Sequence, residues 1–211
     1  MSKRNRSRYG LGPFAVVELA ILLAAAAPAQ AHHVMGGKMP ATLLEGFLSG
    51  LGHPIIGIDH LAFIVAVGLA TGMARLQLAM PAIFIAVSAL GVALHVRGID
   101  LPVAEFVVAA SVLLAGILIA RGAAVRAAGW LALFAVAGLF HGYAYGESIV
   151  GAEPAPLWAY LTGLVVVQAA LATAVALFAR GSGEGALHPR LAGAVIAGIG
   201  LAVLAGQIAS G

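Results

Sequence analysis

The sequence predicts an all-α integral membrane protein, a six-helix transmembrane bundle preceded by a cleavable signal peptide. Three observations carry this. The 211 residues are 62% hydrophobic and only 9% charged, where soluble domains average about 25% charged. Six apolar segments of membrane-crossing length follow one another through short loops. The N-terminus has the three-part form of an export leader.

The leader is read first. Lys3, Arg4, Arg6 and Arg8 precede an apolar run from Phe14 to Ala27, followed by Pro28-Ala29-Gln30-Ala31. A basic n-region, an apolar h-region and an A-x-A site predict cleavage after Ala31. Residues 1–31 are then the signal peptide and 32–211 a single domain; without cleavage the same run is a first transmembrane helix. The leader takes four of the eleven basic residues and one of the eight acidic ones, leaving seven of each. That balance removes the support for a nucleic-acid partner. The expected partners are membrane lipid and a small ion, with a homo-oligomer left open. With no Cys, there is neither a disulfide framework nor a thiolate metal site.

The six segments are 54–72, 78–96, 101–120, 128–147, 156–179 and 190–209. Ahead of them, Leu43, Leu44, Phe47, Leu48 and Leu51 follow helical spacing. That stretch reads as an interfacial helix or as an extension of the first span. Cleavage leaves the new N-terminus outside, so the loops after spans one, three and five face the cytoplasm. They hold Arg75, Arg121, Arg126, Arg180 and Arg190, while the outer segments hold only Lys38 and Arg97. The positive-inside rule gives the same topology, with both termini of the mature chain periplasmic in a bacterial inner membrane.

Polar residues within the spans are costly and therefore informative. His53, Asp59 and His60 fall at the outer end of span one, His95 at the outer end of span two and Glu105 at the outer start of span three. His141 and Glu147 end span four. Imidazoles and carboxylates thus gather on one side of the bilayer and arginines on the other. His53 and His60 are seven apart, about 10 Å along a straight helix, too far for one ion. Either Pro54 and Gly57 distort the turn, or the two mark successive stations. Gly142 and Gly146 predict a loosened helix end, and Gly68 and Gly72 close helix packing. Tyr143, Tyr145 and Trp158 read equally as an aromatic belt or as site walls. His95 alone reads as an interhelical hydrogen-bonder, Glu105 as a residue reaching the interface, and His188 as a solvated loop residue.

The H-x5-D-H pattern of His53, Asp59 and His60, together with Phe140-His-Gly-Tyr-Ala-Tyr-Gly-Glu147, resembles the HupE/UreJ family of nickel permeases. The resemblance spans essentially the whole mature chain. It implies Ni²⁺, or Co²⁺ in some members, as the transported ion, no prosthetic group, and metal binding by His53, Asp59, His60, His141 and Glu147. His95 and Glu105 join that set on placement alone. The mature N-terminus would begin with His32 and His33, an ion-capture site or a polar stub. Imidazole and carboxylate suit borderline divalent ions, so a non-enzymatic permease working inward from the periplasm is the expectation. An intramembrane metallohydrolase and a metal-binding assembly factor are the alternatives.

Overall fold

The structure, a computed structural model, describes residues 38–182 and 186–210. The leader, His32 and His33 lie outside the described residues. Seven α-helices and one 3-10 turn follow in order: α1 (Leu43–Ile56), α2 (Ile58–Met73), α3 (Pro81–Val96), α4 (Ala104–Ala120), α5 (Ala127–Gly146) with the turn Glu147–Ile149, α6 (Pro154–Gly181) and α7 (Leu187–Ser210). No strand occurs among the described residues.

The first predicted span differs most from expectation. Its residues from 58 onward form α2, while its first three end α1, the helix expected ahead of it, and the two helices meet at an 81° bend. Thr42 opens α1 with a capping box, its hydroxyl accepting from the Glu45 N–H at 3.1 Å while Glu45 accepts from the Thr42 N–H at 3.2 Å. Pro54 sits in the last turn of α1, where it removes a helical donor and crowds the preceding carbonyl. Gly57 follows in an extended conformation, closing α1 and opening α2. A β-carbon at Gly57 would lie 2.7 Å from the His60 ring. Only glycine lets that imidazole fold back over the break.

Helices α5, α6 and α7 are each long and apolar enough to cross a membrane, and the bent pair α1–α2 qualifies as a fourth crossing. Helices α3 and α4 are apolar but only 16 and 17 residues long, which at about 1.5 Å per residue falls short of a hydrocarbon core of about 30 Å. Large apolar side chains such as Leu114, Leu177, Phe178 and Leu201 are exposed on the outside of the bundle. That is the surface expected of a protein solvated by lipid.

Packing relies on small residues, because apolar side chains gain little by leaving lipid for each other. Gly46 and Gly50 of α1 face the backbone at Pro156 and Tyr160, and Gly68 and Gly72 of α2 face Ala172 and Ala176, so both helices cross successive halves of α6 in the same chain sense. Gly138 and Gly142 of α5 lie against Phe84 and Ser88 of α3, also parallel. Gly116 of α4 meets Ala197 while Gly200 of α7 meets Leu113, an antiparallel pair. The expectation for Gly68 and Gly72 holds. The loosened end of α5 does not appear: the helix is unbroken to Gly146, and Gly142 serves close packing instead.

Two apolar clusters result. The larger includes Phe63, Val67, Phe84, Trp130 and Phe134; the smaller joins Val92, Tyr145, Ile149, Tyr160 and Leu164.

Candidate metal site

Between those clusters lies a polar knot. His53 is 3% exposed, Asp59 4%, His60 2% and His141 0%. The bend at Gly57 brings the first two histidines together, with ring centroids 5.7 Å apart, so Pro54 and Gly57 do distort the turn. His60 Nδ1 and His141 Nδ1 are 3.0 Å apart. Asp59 stands in the first turn of α2, where the helix dipole favours a carboxylate, and its Oδ1 accepts from the His60 N–H at 2.8 Å.

Hydroxyls orient the rings. Ser111 Oγ donates to the Val108 carbonyl at 2.7 Å and lies 3.0 Å from His141 Nε2. Its proton being committed, Ser111 accepts from His141 Nε2–H. His141 Nδ1 is then an acceptor and His60 Nδ1–H the donor to it. His53 Nδ1 is held by Ser148 Oγ at 2.9 Å and by the Tyr160 hydroxyl at 3.1 Å. Tyr160 in turn donates to the Tyr145 carbonyl at 2.7 Å. Such partners fix ring orientation around metal-binding histidines. Tyr145 is a wall of the knot rather than a belt residue: its ring lies 4.5 Å from His60 and its buried hydroxyl has no hydrogen-bond partner. Phe63 closes the opposite side, 4.5 Å from the His141 ring. Trp158 is exposed.

The remaining predicted residues gather elsewhere. His95, Glu105 and Glu147 line a separate cavity of about 540 Å³ with Tyr143 and Gln207. His95 is half-buried, its Nδ1 2.7 Å from the Tyr143 carbonyl and its ring 4.2 Å from the Tyr143 ring. That is the interhelical hydrogen bond that its isolated position suggested. Glu105 and Glu147 are exposed at the start of α4 and the end of α5. His188 is exposed at the start of α7. Among the described residues, no three His, Asp or Glu side chains converge in a geometry ready to hold a metal ion; the His60–His141 hydrogen bond uses nitrogens that an ion would need.

Ser111, Ser148 and Tyr160 were not picked out in sequence. Ser111 is one of the few polar residues in an apolar helix, and Ser148 adjoins Glu147, so each left a faint signal; Tyr160 left none.

Apolar helices that expose their large side chains outward and bury imidazole and carboxylate inside define an α-helical membrane protein with an internal polar site. A family profile described as HupE / UreJ protein matches residues 19–203. Protein HupE of Rhizobium leguminosarum bv. viciae is 32% identical over 189 residues, covering 88% of this chain and 92% of that protein. The chain belongs to the HupE/UreJ family. No solved structure matches it.

Proposed function

We propose that this protein is an inner-membrane permease for Ni²⁺ or Co²⁺, carrying the ion from periplasm to cytoplasm. One observation carries the reading: three helices bury His53, Asp59, His60 and His141 as neighbours inside an apolar bundle, all nearly inaccessible to solvent. Burying four ionisable groups together is costly unless they bind something. Imidazole nitrogen and carboxylate oxygen are the ligands of borderline divalent ions.

In this reading the cavity with His95, Glu105 and Glu147 is an antechamber that gathers cations. His32 and His33 stand ahead of it at the mature N-terminus released after Ala31. The ion sheds water and enters the knot, where binding through either Nδ1 would replace the hydrogen bond between His60 and His141. The unpartnered Tyr145 hydroxyl supplies one more polar contact. Conduction requires a site that replaces hydration water yet lets the ion go. Alternating passage of the six segments is consistent with the helix senses, since α2 and α6 run the same way, α3 and α5 run the same way, and α4 opposes α7. The arginine bias of the loops is what puts both termini outside.

The test is radioactive nickel uptake in cells lacking other nickel importers, with membrane levels checked by immunoblot. His60→Ala and His141→Ala should abolish uptake, and His188→Ala should leave it unchanged. Wild-type uptake by the first two at matched levels would mean that the knot is structural.

A further inference from the structure

The opposite end of the bundle holds a cavity that metal chemistry does not use. Where α2 and α4 end and α5 and α7 begin, a space of about 610 Å³ is lined by Arg75, Arg121, Arg126 and Arg190 and by Trp130. No Asp or Glu lines it among the described residues. Four permanently charged guanidinium groups around one concavity repel metal cations and attract anions.

Exposed arginines at a helix end are ordinarily a solvated rim, so charge alone decides nothing. Two further observations point to a ligand. Trp130 is 3% exposed, and its indole N–H has no hydrogen-bond partner. A buried donor without an acceptor is unfavourable, and indole can only donate, so an acceptor brought to Trp130 would be stabilising. Arg75 sits in the left-handed region at φ 52°. It occupies the turn that ends α2, where its N–H bonds the Gly72 carbonyl at 3.2 Å and the Leu76 N–H bonds the Thr71 carbonyl at 3.0 Å. This is the helix termination in which glycine is the usual residue. The chain places a guanidinium at the cavity against its backbone preference. Arg190 is steadied there too, its Nε donating to the Ala120 carbonyl at 2.9 Å.

We propose that this cavity binds a phosphate group, that of an anionic phospholipid headgroup at the membrane surface. Phosphate oxygens accept from arginine forks and from an indole N–H alike. The volume suits a small-molecule site, commonly about 300–1,000 Å³. Met73, Leu118 and Val125 add an apolar wall, which a glycerolipid can cover and free phosphate cannot. The proposal rests on no part of the permease reading and is read without metal.

The test uses the full-length protein, stripped of lipid in a neutral detergent and studied by native mass spectrometry. Phosphatidylglycerol should bind at least about fivefold more tightly than phosphatidylcholine of the same chains. Arg75→Gly removes the cation while relieving the backbone, so it should fold at least as well yet bind phosphatidylglycerol about fivefold more weakly. Trp130→Phe should weaken it about threefold by removing the indole donor. If thermal melting shows that Arg75→Gly fails to fold, Arg121→Gln gives the same readout from another helix end. Equal binding of the two lipids, or parental binding by a folded arginine variant, overturns the site. Displacement of phosphatidylglycerol by millimolar inorganic phosphate overturns the lipid source and assigns the site to the free anion.

Discussion

The two ends of this bundle solve opposite problems with polar groups. At one, His53, His60 and His141 are sealed between apolar clusters and steadied by serine and tyrosine hydroxyls. At the other, arginines ring an open cavity above a buried tryptophan. Imidazole can be neutral, so it can be buried at tolerable cost and can offer a lone pair to a metal. Guanidinium is always charged and has no lone pair to give, so it stays at the rim and acts through its field. The chemistry available at each end follows from whether its charge can be switched off.

The contrast can be broken or sharpened experimentally. The largest effect is expected at Gly142, next to His141, where a β-carbon would meet the backbone of Ser88. Gly142→Ala should cost about 3 kcal/mol by forcing α3 and α5 apart, seen as early thermal unfolding in detergent. Gly198→Ala, with nothing within 4 Å of its added carbon, should melt like the parent.

Next comes Gly57→Ala. Its methyl group would displace the His60 ring, and nickel uptake should fall by about a hundredfold, since misplacing metal-orienting groups costs about 10–100-fold in affinity. Parental uptake would show that the fold of His60 over the break is incidental. Ser111→Ala should cost about tenfold by freeing the His141 ring, with the melting temperature little changed; a large fall in stability with uptake intact would recast the serine as structural. The smallest effect is a null one. Excess Mg²⁺ should leave nickel uptake unchanged while Co²⁺ competes, because Mg²⁺ prefers oxygen ligands and holds its water. Competition by Mg²⁺ would remove the imidazole end from the path.

Much of the fold was legible because apolar runs of helical length announce themselves. The segments from 78 onward agree with α3 to α7 to within a few residues. The break in the first span was only half legible. Pro54 and Gly57 marked a weak point, but periodicity reads the same through a straight helix and through two helices at an angle. The histidines were visible as polar residues in oil, whereas their partners were not. Ser148 reaches His53 from 95 positions away and Tyr160 from 107, and nothing local foretells such contacts. His141 and Glu147 looked like one motif, yet six residues along a helix turn the second well away from the first. The structure accordingly buries His141 and leaves Glu147 exposed at a different cavity.

The pairing of helices has one more consequence. Count α1 with α2 as a single rod, and the pairs are first with fifth, second with fourth, third with sixth. Swapping the leading three rods with the trailing three returns the same list, and the third and sixth are merely exchanged with each other. By that pairing the chain is two interlocked halves, with α4 of one packed closely against α7 of the other. His60 belongs to one half and His141 to the other, so the 3.0 Å hydrogen bond between their nitrogens is a seam between the halves. A ligand seated between those nitrogens would tie one half of the chain to the other.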